Sequence, residues 1–599
     1  MILTGKHINK YYKKYALFFL IGILMLVAVD YIQLLIPEYL GKIIDIFDAG
    51  KVQECKDQII LMSLYTIFCG LGMFLGRLIW RYTLFYASQK IDADLRHDMF
   101  IKAENLSIDY YQVNKVGTIM AWFTSDLETI EEYVGFGTVM MVDAVFMSIL
   151  TLIKMFNKQW QLTIIVLIPV ILIIIWGAIV EKFMEKIWDN RQKEFDRLYD
   201  YAQESFTGIR VIKAFVKETH ELHAFAKVAK KNKDVNISFM RTSVIFDAII
   251  EVIIGILLAI IIGFGGYVVM QCTKGLPVNL FGVDAYMTGG DLITFIGYMD
   301  SLIWPTIALG QIITWHARAK ASLNRINNYL DSSITVTNPD NPIYLKNVKG
   351  LIEFKNFSFA YPVRKEKNIL NGVSITINPG EKIGIVGRVG CGKSTIANSL
   401  LRLYNVNRGQ VFIDGYDIMD LDIDTLRQNI GYVPQDNFLF SDTVKSNIAF
   451  SDTSIDHDSV VSAAKFANVH DDIDKFNNKY ETITGERGVS LSGGQKQRIS
   501  IARAYIKNAP ILIFDDSVSA VDISTEEQIF ENLKQKRANM TTLVVASRIS
   551  TVSHMDKVLV LDEGKVEAFD TPQNLLKVSP TYKKMVYLQK LQSELEGGK

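Results

Sequence analysis

The chain of 599 residues carries 64 Lys and Arg against 64 Asp and Glu, so it has no net field with which to gather nucleic acid, and its length allows several domains. Hydrophobic residues make up 49% of it and mean hydropathy is +0.18, which together with the long apolar runs below excludes a soluble enzyme. The four cysteines, Cys55, Cys69, Cys272 and Cys391, have the spacing of neither a metal site nor a disulfide framework. They read as ordinary side chains, with Cys55 and Cys272 able to pair only if two predicted external loops meet.

The first fifteen residues set Lys6, Lys10, Lys13 and Lys14 among Ile8, Tyr11 and Tyr12, the pattern of an interfacial helix rather than a cleavable signal, which needs an apolar core and a small-residue cleavage site. From residue 16 to 318, six apolar runs each approach the roughly 20 residues that cross a bilayer: Ala16 to Pro37, Ile59 to Leu84, Tyr133 to Phe156, Leu162 to Val180, Val244 to Met270 and Leu292 to Ile313. Lys and Arg crowd the start and the 181–241 segment but are sparse after the first, third and fifth runs, so both termini are expected on the cytoplasmic side. The stretches 88–132 and 181–242 keep helical spacing, which predicts membrane helices extended into the cytoplasm.

Residues 319–349 turn polar around Asn338-Pro339-Asp340-Asn341-Pro342 and are expected to be a linker. From 350 to 599 short apolar strands alternate with helical segments, an α/β pattern. Within it, Gly387-Arg388-Val389-Gly390-Cys391-Gly392-Lys393-Ser394, followed by Thr395, is a complete phosphate loop between a strand and a helix. Its glycines let backbone N–H groups curl around phosphates, Lys393 reaches the β and γ phosphates, and Ser394 can ligate Mg2+. Farther on, Leu491-Ser492-Gly493-Gly494-Gln495 opens a helix, so its N–H groups can grip an anion but cannot complete a phosphate loop. The apolar run Ile511-Leu512-Ile513-Phe514 ends in Asp515. Taken alone, Tyr361 also reads as a strand aromatic and Gln435 as a turn glutamine.

At those motifs the chain resembles an ATP-binding cassette (ABC) exporter half-transporter: a membrane domain of six long helices fused to an α/β P-loop ATP-binding cassette. The resemblance implies ATP and Mg2+ as ligands, Tyr361 as the adenine-stacking ring, and Ser394, Gln435 and Asp515 around the ion. It further implies that Leu491 to Gln495, with Asp522, press on nucleotide held by a second cassette, and that Gly485-Glu486-Arg487-Gly488 and Ser519-Ala520-Val521-Asp522 are family segments standing unaltered. Ser107 to Thr118 and Glu204 to Phe215 resemble the coupling-helix regions, although Ala121-Trp122 stands where the family usually has Ser-Arg.

Two positions depart from the family's pattern. After the Walker B aspartate, where the family has glutamate, stands Asp516, and the switch histidine is Ser547. Asp has the acid chemistry of Glu with a side chain about 1.5 Å shorter, and a misplacement of about 1 Å can cost on the order of 10²-fold in rate. An intact signature beside a weakened site implies the degenerate-site subunit of a heterodimeric bacterial multidrug-type exporter, working with a homologous half that supplies glutamate and histidine. Drift in a homodimer is the competing expectation, and would cripple both sites. For cargo, Asp30, Asp143, Asp247, Glu251 and Asp300 lie in or near the runs, where charge is costly, and suggest a cavity for small amphipathic drugs, a gate or helix pairing. Export of lipid, peptide or siderophore, and a non-transporting ATP-gated regulator, are the alternatives.

Overall fold

The protein is described by a computed structural model covering residues 3–276, 278–280, 283–364, 366–485, 491–518 and 521–597. Glu486 to Gly488, Ser519 and Ala520 therefore lie outside the described residues. The chain forms two compact units, one of Met1–Lys102 with Gly117–Ser332, the other of Ala103–Val116 with Ser333–Lys599.

In the first unit, among the described residues, five helical runs are long and apolar enough to cross a membrane: Ala16–Asp48, Lys56–Asn105, Val116–Gly177, Glu218–Thr273 and Gly289–Leu330. The sequence predicts six spans, and the difference lies in the third run. A straight helix of its 62 residues would measure about 90 Å, some three times a bilayer core. Gln159 breaks it with φ −157° and ψ 92°, so the third and fourth expected spans lie on either side of one extended residue. The same run carries π-helical turns at Trp122–Asp126, Tyr133–Gly137 and Asp143–Met147, each of which rotates the face presented by the residues after it.

The first and last long helices approach closely. A Cβ on Gly290 would stand 2.0 Å from the Gly41 carbonyl oxygen, so only hydrogen fits there. The Gly290 N–H donates to Asp45 at 2.8 Å, Lys154 pairs with Glu38 at 2.7 Å, and Tyr298 also donates to Glu38. Farther along the last helix, Asp126 receives a two-pronged bond from Arg325 at 2.6 and 2.8 Å and a third from Ser322 at 2.9 Å, which suits a carboxylate only 8% exposed. That helix runs on to Leu330, into the stretch expected to be linker, because Ala319, Leu323 and Ile326 repeat at helical spacing and are fully buried. A short antiparallel hairpin, β1 (Val278–Leu280) and β2 (Val283–Ala285), precedes it. All four cysteines are free thiols, Cys55 and Cys272 included.

The described residues of the second unit form two sheets. β3 (Ile352–Phe359), β4 (Leu370–Ile377), β6 (Val411–Ile413) and β7 (Tyr416–Asp417) form an antiparallel sheet in the order β4-β3-β6-β7. The other sheet, in the order β12-β11-β5-β10-β9-β8, comprises β5 (Lys382–Gly387), β8 (Ile430–Val433), β9 (Ile511–Asp515), β10 (Thr541–Val545), β11 (Lys557–Asp562) and β12 (Lys565–Asp570). Its five strands from β11 to β8 are parallel, and β12 closes the edge antiparallel. Every residue of β9 and β10 is buried, as expected where both faces of a parallel sheet are covered. The arrangement places the carboxyl ends of β5, β8, β9 and β10 side by side, which is where the motifs found in the sequence converge.

Candidate nucleotide site

β5 ends in the phosphate loop, which turns into the helix Lys393–Leu400. Gly392 caps that helix at φ +99°, and a Cβ there would also meet Leu370 at 2.6 Å, so two requirements select glycine. Cys391 and Thr395 are buried beneath the loop, and burial pushes the Cys391 thiol above its ordinary range. Lys393 donates to the loop's own carbonyls at Gly387 (2.9 Å) and Arg388 (3.1 Å), and the Arg388 side chain lies 3.8 Å from Asp562. Gly390 stands at φ +83° in the open part of the loop.

Asp515, at the end of β9, accepts from Ser394 at 2.7 Å and from the Tyr432 hydroxyl at 3.3 Å. Burial raises the Asp515 carboxyl above its usual range despite these donors. Tyr432 is not marked by any motif in the sequence, though it lies just before Val433-Pro434-Gln435 and its place on β8 could have been inferred from strand alternation. A hydroxyl, a buried carboxylate and a helix N-terminus directed at the loop fit a phosphate-bound Mg2+.

The two departures from the family pattern touch each other. Ser547 donates to Asp516 Oδ1 at 3.1 Å, and Gln435 approaches the other carboxylate oxygen at 3.4 Å. Asp516 holds φ +46°, a left-handed conformation that Asp tolerates better than Glu, and its N–H donates to the Val545 carbonyl at 2.9 Å. Short acid, small hydroxyl and backbone twist thus fit one another. The C-terminal helix Pro580–Gly597 clamps the same loop: Gln589 accepts from Ile549 N–H at 2.7 Å and donates to the Ser547 carbonyl at 3.0 Å. Nothing in the sequence marks that residue. Gln589→Leu should speed amide exchange in the 546–549 segment about tenfold, the expected effect of losing about 1.4 kcal/mol of local bonding; hydrogen-exchange mass spectrometry reads this directly.

The signature segment is a pre-formed helix start. Ser492 caps the helix Gly493–Ile506 by accepting from Gln495 N–H at 3.2 Å, while Gln495 Oε1 accepts from Ser492 N–H at 3.0 Å. Leu491 is buried just before it, and Gly493 and Gly494 form its first turn. A cleft of about 460 Å3 opens here, lined by Gln435, Asn437, Phe438, Gly493 and Lys496. Asp522 caps the helix Ile523–Lys536, and bonds from Ser524 and the Thr525 N–H hold its carboxyl well below the usual range. The Tyr361 hydroxyl pairs with Thr395 at 3.0 Å, and its ring meets Phe359 and Tyr404 edge-on at 5.1 and 5.2 Å. Tyr404 in turn accepts from Gln112 at 2.5 Å, which joins the short helix Ile108–Val113 to the aromatic cluster within this unit.

In the membrane unit the acids separate. Asp30 and Asp143 each bury one oxygen without a hydrogen-bond partner among the described residues, whereas Asp247, Glu251 and Asp300 are exposed. A different group, Ile174, Ile250, Thr306, Gln311, Trp315 and Arg318, lines a cavity of about 430 Å3.

The ABC transporter transmembrane region matches residues 19–305 and the ABC transporter domain matches 370–519. The chain is 34% identical, over 99% of both chains, to the probable multidrug resistance ABC transporter ATP-binding/permease protein YheI of Bacillus subtilis. It is 32% identical to the multidrug resistance-like ATP-binding protein MdlA of Escherichia coli, over 96% of this chain and 95% of that one. A solved structure of a bacterial Atm1-family ABC exporter with ATP bound superposes with TM-score 0.77 at 25% identity, covering 97% of this chain and 99% of its own.

Proposed function

Because the chain belongs to the ABC transporter family, as a half-transporter with membrane region and ATPase cassette in one polypeptide whose ATP hydrolysis drives transport, we propose that it is the hydrolysis-impaired half of a heterodimeric exporter. The observation that carries this reading is the Asp516–Ser547 contact beside an intact, capped signature. The chain's own phosphate loop then holds ATP, with Tyr361 against the base. Ser394, Asp515 and Gln435 would hold Mg2+, which when bound offsets charge on the β and γ phosphates. Ser492 to Gln495 complete the site of a partner bearing glutamate and histidine.

ATP binding to both cassettes favours the closed pair, hydrolysis at the partner's site reopens it, and the slow site keeps its nucleotide between strokes. The basic segments favour a cell-membrane protein with both termini on the cytoplasmic side. Small amphipathic molecules are the cargo that the mixed apolar and polar lining around Trp315, Gln311 and Arg318 favours.

The test is to purify the chain alone and with a homologous half-transporter carrying the glutamate and histidine. The mixed complex should hydrolyse ATP at least about tenfold faster than the single chain and take up a cationic amphipathic dye into inside-out vesicles. Equal turnover by the chain alone would reject the heterodimer, and turnover without uptake would favour an ATP-gated regulator.

A further inference from the structure

Beside the start of the first membrane helix lies a groove of about 530 Å3, within the range of roughly 300–1,000 Å3 typical of small-molecule sites. Its walls are Tyr12, Ala16, Phe19, Ile23, Tyr133 and Met141, with Lys13 at the rim. The groove is pre-formed. Leu3, Ile8 and Tyr11 are buried and pin the preceding segment, the rings of Tyr12 and Phe19 stand 5.5 Å apart, and the π-helical turn Tyr133–Gly137 supplies the opposite wall.

Two hydroxyls of the wall are already paired. The Tyr133 hydroxyl pairs with His316 at 2.9 Å, and Thr138 donates to the Val134 carbonyl at 2.6 Å. Between them Ala16, Phe19, Leu20, Ile23 and Met141 make the slot mainly apolar. At its mouth the charges divide unequally: Lys6 pairs with Asp331 at 2.7 Å, Lys10 with Asp98, and Lys14 with Asp94 at 2.6 Å. Lys13 is the exception: its ammonium has no ion-pair or hydrogen-bond partner among the described residues. Three of these four lysines are neutralised by carboxylates, and the fourth lines a mainly apolar slot beside the first membrane helix.

We propose that this groove binds an anionic glycerophospholipid, with one acyl chain between Tyr12, Phe19 and Met141 and the phosphate on the Lys13 ammonium. The chemistry has two parts that must coincide. A chain buried from water alone would not select a headgroup, and a lysine alone would draw anionic lipid to the surface without fixing a chain. Here both lie within one site, and the neutralised neighbours leave a single place for the phosphate. The lipid would fasten the interfacial segment to the first and third spans, whose faces form the slot.

The test reconstitutes the full chain with its partner in vesicles containing a trace of photoactivatable phosphatidylglycerol or its phosphatidylcholine counterpart, and maps labelled peptides by mass spectrometry. Phosphatidylglycerol should label the peptides around Tyr12–Ile23 and Tyr133–Met141 about fivefold more than phosphatidylcholine, the factor one lysine near a phosphate supplies. Lys13→Gln, a mild surface change, should remove that preference. Ala16→Trp, which fills the slot, should lower labelling there about tenfold while labelling elsewhere persists, as loss of about two buried methylenes would give. Equal labelling by the two lipids in the unaltered protein, or a preference indifferent to Lys13→Gln, would overturn the proposal in favour of ordinary surrounding lipid. Displacement of the label by rhodamine 6G, a cationic amphipathic dye, would also overturn it and make the slot a cargo groove.

Discussion

Ser492→Arg combined with Gly494→Asp should reduce ATP turnover of the two-chain complex by at least about 10²-fold, equivalent to about 3 kcal/mol of barrier. The first change removes the hydroxyl that caps the helix Gly493–Ile506, and the second puts a carboxylate on its first turn, where the helix end otherwise favours an anion. Both insults fall on the site this chain completes for its partner. Asp516→Asn, by contrast, keeps the size of the side chain and an oxygen for the Ser547 hydroxyl, and should change turnover by no more than about twofold, because hydrolysis at this chain's own phosphate loop contributes little. Steady-state ATPase rates of the two variants decide the matter. Equal and severe losses from both would reject the asymmetric assignment.

The second large effect concerns restoring the family residues. Asp516→Glu with Ser547→His should raise single-turnover hydrolysis at this site by up to about 10²-fold, since reach and the imidazole return together. Either change alone should do much less. With Ser547 only 3.1 Å from the carboxylate, a glutamate by itself would be driven past its hydrogen-bond partner, and a histidine by itself would crowd the shorter acid. Part of the gain will be offset by the φ of +46° at Asp516, which glutamate adopts less readily. Bound-nucleotide residence should shorten in the double variant, and transport per ATP should fall, because the retained nucleotide holds the cassettes together between strokes. Unchanged residence would show that the partner's signature, rather than these two side chains, makes the site slow.

Much of this geometry was legible in the chain because its motifs are local. A phosphate loop, a capped signature and an apolar strand ending in aspartate each announce themselves within a few residues, and the fold then brings the strand ends together. The contacts that tune the site were not legible, because they join distant residues: Ser547 with Asp516, Tyr432 with Asp515, and Gln589 with the backbone at Ser547 and Ile549. In the membrane unit, hydropathy gave the apolar runs but could not reveal that the third and fourth share one helical run broken at Gln159, since composition is blind to a single residue's ψ. Polar composition likewise suggested a linker before Leu330, where a narrow repeat of Ala319, Leu323 and Ile326 sustains a helix instead.

The second unit borrows a piece of chain from far upstream. Residues 103–116 belong to it, held by Gln112 on Tyr404, by Thr335 on Asp109 at 3.0 Å and by the Val336 N–H on Ser107 at 2.9 Å. A gene exchange that swaps only the codons from residue 333 onward would therefore seat the parental Ser107, Asp109 and Gln112 on a foreign surface. Related transporters that trade cassettes, in the laboratory or by recombination, would have to exchange two separated stretches of coding sequence to inherit one intact folding unit.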